Sequence, residues 1–187
     1  MRGIASKSQL RMSFLRYALV TVPLVVLLGT LSGRLAGSGY GNPWFDALAK
    51  PSFMPPGWAF GVAWTILYAL LGIVLAMILH ARGARGRGLV LALFLAQLAL
   101  NYAWSPLFFA FHQTLPALLV ILAMIGLSAA AAALLWWVRK AALLLMLPYL
   151  AWLCFAAALT FEILRLNPGG APALAPGGSS SDIIDET

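Results

Sequence analysis

Long runs without charged residues constrain this chain more than any other feature. Between Arg87 and Arg139, 51 consecutive residues carry no charged side chain, and only 9% of the whole chain is charged. One bilayer-spanning helix needs about 20 such residues, whereas soluble domains carry roughly 25% charge. The chain therefore lies mostly in lipid, and its longest run is long enough for two spans.

The uncharged runs divide into five predicted membrane helices. Pro106 and the polar segment 112–114 interrupt the longest run, which therefore forms a helical hairpin. Pro55 and Pro56 precede the second helix, where a missing proline N–H costs little. We predict an all-α membrane protein, a five-transmembrane-helix bundle over 14–167. Its spans are predicted near 17–33, 57–79, 89–110, 115–138 and 141–161.

Two terminal segments flank the predicted bundle. Residues 1–13 form a basic extension, and residues 168–187 are rich in Gly, Pro, Ser and acidic side chains. The second segment has too little apolar surface to offset chain entropy, so we predict that it is disordered. The basic start and short apolar run also fit a signal peptide. No clear A-x-A cleavage site follows, so we expect the first helix to be retained.

The distribution of Lys and Arg predicts how the bundle is oriented. Nine of these residues lie in the N-terminal segment and the second and fourth loops, and three lie on the opposite side. Because cytoplasmic loops are enriched in Lys and Arg, we expect a cytoplasmic N-terminus and an external C-terminus. The same residues sit at the ends of apolar runs, so the net charge of +7 does not indicate nucleic-acid binding.

The first loop is long for a connection within a helical bundle. It covers about 20 residues, 37–56, and long loops are commonly functional. Asn42 and Pro43 can cap and begin a short helix over 44–49, which must end before Pro51. We therefore predict an ordered lid on the outer face of the bundle.

Three predicted spans carry aromatic side chains at helical spacing, together with a few polar groups. One interpretation is that these faces only pack together, with Gln97 and Asn101 forming hydrogen bonds between helices. The other is that they wall a pocket for a large planar ligand. Packing is the better explanation for any single residue. For the three faces taken together, a pocket is the better explanation. The faces comprise Phe60, Trp64, Tyr68 and Leu71; Gln97, Asn101, Trp104, Ser105 and Phe108; and Tyr149, Trp152, Ala156 and Thr160.

Other reactive side chains are sparse and isolated. Cys154 is the only cysteine, which excludes an intrachain disulfide and a thiolate cluster. His80 and His112 lie at helix ends without a second ligand nearby in sequence, so we predict no metal site. Glu162 can pair with Arg165 three residues later. No catalytic triad or phosphate loop is recognisable, and we assign no catalytic residue from these patterns.

Three sequence blocks resemble the TspO/MBR family, also known as the translocator or tryptophan-rich sensory proteins. The blocks are 48–68, 97–109 and 148–167, and the resemblance covers about 14–167. Phe53 and Thr160 stand where the family usually has tryptophan and asparagine. The family's sterol motif is poorly kept across 159–165.

The resemblance implies a ligand cavity and a set of residues that face it. Family members bind protoporphyrin IX and haem, and animal members bind sterols and benzodiazepine-type ligands. The resemblance also implies a homodimer and, for a bacterial member, the inner membrane. Phe60 and Phe108 join the site from the helical faces above. The residues that the resemblance implies are Trp64, Tyr68, Asn101, Trp104, Ser105, Trp152 and Ala156 at the cavity, with Trp44, Phe53 and Trp58 near its lid.

These patterns lead to three functional hypotheses. First is a receptor or sensor that binds porphyrins, with other planar apolar ligands as further candidates, and that regulates tetrapyrrole metabolism or transport, with no obligatory cofactor. Second is an enzyme that degrades protoporphyrin in light, with Trp64 as the redox partner. Third is a tetrapyrrole or sterol transporter, which ranks lower because no intramembrane charge marks a coupled ion path. Alanines 92, 96, 99 and 103 favour a homodimer through the third span.

Overall fold

The computed structural model describes residues 7–169 as an all-helical bundle. Five of its helices are long and apolar enough to cross a membrane, which confirms the predicted fold class. A sixth, short helix lies in the first loop. The helices are α1 (Lys7–Leu35), α2 (Pro43–Ala47), α3 (Gly57–His80), α4 (Arg87–Ser105), α5 (Thr114–Val138) and α6 (Lys140–Leu166).

Helix α1 begins before its uncharged run. Residues 7–13 of the predicted basic extension form its first turns, because Lys, Arg, Gln, Leu and Met are all good helix formers. The predicted disorder of the C-terminal segment falls mainly on residues 170–187, which lie outside the described residues.

The five long helices form a closed bundle. Helix α1 packs against α3 and α4, α3 against α6, α6 against α5, and α5 against α4. Helix α1 buries only a narrow stripe within its membrane span, formed by Thr21, Val25 and Gly29. The aromatic and aliphatic core therefore comes chiefly from the other four helices, and α1 covers one side of it.

Two glycines allow α1 and α3 to approach closely. A Cβ atom on Gly72 would lie 2.6 Å from the Cα of Val22, and one on Gly29 would overlap the Tyr68 ring. The Thr21 hydroxyl donates a hydrogen bond to the Gly72 carbonyl at 2.8 Å. Small residues at such positions let helix backbones meet in lipid.

A chain of buried side-chain hydrogen bonds ties four helices together in the middle of the bundle. The Tyr68 hydroxyl donates to Asn101 Oδ1 at 2.9 Å, and Asn101 Nδ2 donates to the Tyr149 hydroxyl at 3.1 Å. Tyr149 donates in turn to Gln97 Oε1 at 2.6 Å, and Ser128 of α5 lies 3.5 Å from the same oxygen. For Gln97 and Asn101, the predicted hydrogen bonds between helices are thus present.

Helix α4 does not end in a regular turn. It continues into a π-type turn at Pro106–Ala110, where the Phe111 amide donates to the Pro106 carbonyl five residues earlier, at 2.9 Å. The wider turn buries the adjacent side chains of Phe108 and Phe109, which are 2% and 8% exposed. In a regular helix, neighbouring side chains diverge by about 100° and seldom share one buried face.

The first loop is an ordered lid, defined here as residues 37–56. Asn42 caps α2 by accepting from the amides of Trp44 and Phe45, as its sequence predicts. Helix α2 ends at Ala47, two residues earlier than predicted. The reason is that Ala49 pairs with another element, because Asn167 accepts from its amide and donates to its carbonyl, both at 2.9 Å.

Candidate functional site

A cavity of about 520 Å³ lies beneath the lid, between α1, α3, α4 and α6. This volume falls within the range of about 300–1,000 Å³ that small-molecule sites occupy. Its lining is mostly apolar and aromatic. The residues that line it are Gly29, Thr30, Gly33, Arg34, Ser38, Gly39, Tyr40, Phe45, Met54, Gly57, Phe60, Gly61, Trp64, Thr65, Tyr68, Trp104, Ser105, Phe108, Phe109, Trp152, Ala156, Leu159, Thr160 and Ile163.

One wall of the cavity is an aromatic cluster from α3 and α6. Trp64 stacks on Tyr68 with ring centroids 5.3 Å apart, and Trp152 meets Trp64 edge-on at 6.3 Å. Phe60 meets Trp152 edge-on at 5.9 Å. Both geometries are favourable for aromatic pairs, so the rings hold one another in place. The Tyr68 hydroxyl is also fixed, through its bond to Asn101.

A second aromatic wall comes from α4 and the π-type turn. Trp104 and Phe108 stack almost parallel, 5.2 Å apart with an interplanar angle of 9°. The indole N–H of Trp104 donates to the Ala117 carbonyl of α5 at 3.1 Å. This bond satisfies the polar edge of the ring and leaves its apolar surface for the cavity.

Polar groups in the lining are few and mostly hydroxyls. Thr65 and Thr160 each donate to the carbonyl four residues earlier, at 2.8 Å, so their protons are already engaged. Arg34 is the one charged side chain among the described lining residues. In residues 7–169 no cluster of His, Cys, Asp or Glu could hold a metal ion.

Eight of the twelve predicted site residues line this cavity. They are Phe60, Trp64, Tyr68, Trp104, Ser105, Phe108, Trp152 and Ala156. Asn101 was expected at the cavity surface, but it lies one layer behind, where its amide bonds to Tyr68 and Tyr149. Its influence on the cavity therefore runs through the orientation of the Tyr68 ring.

The three aromatic residues predicted near the lid lie outside the lining. Trp44 stacks on His112 at 4.4 Å and meets Phe108 from behind. Phe53 contacts Phe155 at the rim, and Trp58 is 72% exposed in the first turn of α3. Trp58 points outward because it is offset from the helical face that carries Phe60 and Trp64. The lid instead contributes Ser38, Gly39, Tyr40, Phe45 and Met54 to the lining.

Sequence reasoning missed the contribution of α1. Gly29, Thr30, Gly33 and Arg34 line the cavity, although α1 carries no aromatic face. The available signal was the four-residue spacing of Gly29 and Gly33, a pattern that by itself indicates only close helix packing. A small residue leaves space on its own helix, and here that space faces the aromatic rings of α3.

These features define an integral membrane protein with five spanning helices and an aromatic-walled cavity under an ordered lid. The model of the TspO/MBR family matches residues 20–166 of the chain. The chain belongs to the TspO/MBR family.

Relatives from distant organisms agree with this assignment. The chain is 41% identical to the tryptophan-rich protein TspO of Archaeoglobus fulgidus over 149 residues, covering 80% of this chain and 96% of the relative. It is 39% identical to protein CrtK of Rhodobacter capsulatus, covering 69% and 81%. It is 41% identical to the translocator protein of Sus scrofa, covering 76% and 88%.

Proposed function

We propose that this chain is a membrane receptor that binds a porphyrin, protoporphyrin IX or haem, in the cavity under the lid. The observation that carries the proposal is the pair of aromatic walls, Trp64 with Trp152 and Trp104 with Phe108, around a space of about 520 Å³. Through binding, the protein would regulate tetrapyrrole metabolism or transport. The name of one relative in Cereibacter sphaeroides, tryptophan-rich sensory protein, agrees with a sensing role.

Flat aromatic walls suit a flat aromatic ligand for physical reasons. Ring stacking contributes about 0.5–1.5 kcal/mol per pair beyond simple burial, and the scarcity of polar groups lowers the desolvation cost of an apolar macrocycle. Ala156 is a small residue in the wall, one turn after Trp152, and leaves room for a ring edge. Free-base protoporphyrin IX needs no axial ligand from the lining, so it is the ligand to test first.

Titration of the purified protein with protoporphyrin IX in the dark tests this proposal. We expect tryptophan quenching and a shifted pigment spectrum in the wild type, and weaker binding in Ala156→Thr, which adds bulk to the wall. Ala158→Thr is the matched control, because Ala158 is exposed on the same helix and lies outside the lining. Absence of binding in the wild type, or identical curves for all three proteins, would overturn the proposal.

A second candidate function is light-dependent degradation of the bound porphyrin. The observation that favours it is the contact of Trp64 with both Tyr68 and Trp152, which gathers oxidisable rings at the cavity surface. Illumination in the presence of dioxygen, with and without protein, distinguishes an enzyme from a receptor. An enzyme using Trp64 would lose pigment turnover but keep binding in Trp64→Phe, because phenylalanine is far harder to oxidise than indole.

We also propose a homodimer that forms through α4. Ala92, Ala96, Ala99 and Ala103 are all exposed along one side of this helix. Because alanines let two backbones approach closely in lipid, a second copy can pack against this side. The proposed orientation keeps the N-terminus and the loop at 81–86 in the cytoplasm, on the basis of the Lys and Arg distribution.

A further inference from the structure

The cavity carries its only described charge at its mouth. Arg34 lies in the last turn of α1, is exposed, and lines the cavity beside Ser38 and Tyr40 of the lid. It also lines a groove of about 430 Å³ that the lid forms at 37–43. A ligand that enters or rests at this end of the cavity therefore meets a guanidinium group.

Among the described residues, the other charged groups at this end of the bundle already have partners. Lys50 donates to the carbonyls of Asp46 and Leu48, at 3.0 and 3.1 Å. The Asp46 carboxylate accepts from the Gly41 amide at 2.9 Å, and Arg165 pairs with Glu162. Within residues 7–169, the Arg34 side chain has no hydrogen bond, ion pair or ring contact.

The position of Arg34 relative to the aromatic wall gives the cavity two unlike ends. Gly29 lies against the Tyr68 ring, and Arg34 is five residues nearer the lid, which is about 7.5 Å along the helix. The Tyr68 ring therefore lies deeper in the cavity, and the cation lies at the rim. A flat apolar molecule with an anionic edge matches both ends in a single orientation.

A simpler role for Arg34 is to complement the dipole at the C-terminus of α1, as cations near helix ends commonly do. That role requires no contact with the cavity and predicts no dependence on the charge of a ligand. The lining position of Arg34 and its lack of a described partner favour a role in ligand binding instead.

We propose that Arg34 is an anion subsite that pairs with a carboxylate of the bound ligand. The cavity would thereby prefer planar amphiphiles that carry carboxylates over neutral planar molecules of the same size. A guanidinium group can bind a carboxylate through two parallel N–H donors, which fixes orientation as well as adding affinity. This inference rests on the proposed porphyrin-binding function and names the residue that sets its specificity.

Two probes with one macrocycle separate the charge from the stacking. Protoporphyrin IX carries two propionate carboxylates, and its dimethyl ester has the same ring without the charges. We expect Arg34→Gln to weaken binding of the free acid about 5- to 10-fold and to change binding of the ester less than twofold. Arg165→Gln is the matched control, because it removes a cation at the same end of the bundle but outside the lining.

The outcomes separate failure of the inference from failure of the proposed function. If neither probe binds the wild type, the porphyrin-binding function itself fails. If both probes bind but Arg34→Gln weakens them equally or not at all, only the anion subsite fails. An equal loss in Arg165→Gln would also overturn it, because the effect would then reflect general surface charge.

Melting in detergent shows whether Arg34→Gln is folded. If it is not, a second variant and a salt titration of the wild type test the subsite. Arg34→Lys keeps the cation and should keep the preference of the protein for the acid over the ester. In the wild type, that preference should shrink as salt rises, because screening weakens an exposed ion pair. A preference that is independent of salt would contradict the subsite.

Discussion

In the middle of the bundle, side chains from four helices bond to one another, whereas at the lid end two asparagines bond to backbone. Gln97, Asn101 and Tyr149 are at most 3% exposed and joined by consecutive hydrogen bonds. The lid depends on Asn42, which reaches the Phe109 carbonyl at 3.2 Å, and on Asn167, which holds Ala49. The cavity lies between a base that buried side chains bond together and a cover that bonds to the bundle through side chain to backbone contacts.

One small bundle can thereby combine a fixed site with an accessible one. Buried polar groups without water have no alternative partners, so the central chain of bonds holds the Tyr68 ring firmly. The bonds of Asn167 are largely exposed, and water can replace them at little cost. We therefore expect substitutions in the middle to change stability, and substitutions at the lid to change access.

The largest effect on stability should come from Gly72→Ala. The new Cβ atom would meet the Val22 backbone at 2.6 Å, and a backbone cannot move aside as a side chain can. We expect a loss of about 1–3 kcal/mol, read as a lower melting temperature in detergent. Gly126→Ala is the control, because nothing lies within 4 Å of its Cβ and alanine favours a helix. Equal melting of the two variants would contradict the close contact between α1 and α3.

Asn101→Leu should have the next largest effect. It removes the partner of the Tyr68 hydroxyl and the donor to Tyr149, and it leaves a buried hydroxyl unpaired. The expected cost is about 1–2 kcal/mol of unfolding free energy. Because Asn101 lies behind the lining, the free energy of porphyrin binding in the dark should change less than the free energy of unfolding of the protein. A large loss of affinity at unchanged stability would place Asn101 at the cavity surface instead.

Asn167→Ala tests the lid directly. It removes both bonds to Ala49, and their exposure limits the loss of global stability to roughly 0.5–1 kcal/mol. Hydrogen exchange in peptides covering 44–56 should accelerate, while exchange in α5 should stay as in the wild type. Asn167→Asp keeps the acceptor for the Ala49 amide. Its exchange rate in the same lid peptides should lie between those of the wild type and Asn167→Ala. Uniform acceleration over the whole chain would mean that the lid does not open separately.

The smallest change in folding stability is expected for Ala96→Leu. Ala96 is exposed, so the substitution should leave the monomer intact while separating two copies that meet along α4. Sedimentation in detergent should show a shift toward monomer. Ala130→Leu, on an exposed face of α5, supplies the comparison. Should both variants sediment as the wild type does, α4 is not the dimer contact.

The spans were predictable because lipid imposes a simple rule on length and charge. The uncharged runs that precede Arg34, His80 and Arg139 end within a few residues of the C-terminal ends of the observed helices. The cap at Asn42 was also predictable, because capping is a local property of neighbouring residues. Helical periodicity likewise brought Phe60, Trp64 and Tyr68 to one wall of the cavity.

The features that were not predicted depend on how the helices pack against one another, which no local sequence pattern encodes. Periodicity places Asn101 on an inward face but cannot show that Tyr68 lies between it and the cavity. It also cannot show that Asn167 reaches Ala49, or that α1 brings Arg34 to the cavity mouth. Trp58 was assigned to the lid region by resemblance, and its outward direction follows from its offset on α3.

The bond between Ala49 and Asn167 also sets an order of events during synthesis. The two residues are 118 positions apart, and a ribosome produces the lid long before the last helix. Until α6 is inserted, the cavity lacks Trp152 and the lid lacks its hydrogen bonds to Asn167. Closure is therefore coupled to completion of α6, and a nascent chain stalled within α6 would present an open, unfinished aromatic groove to lipids and chaperones.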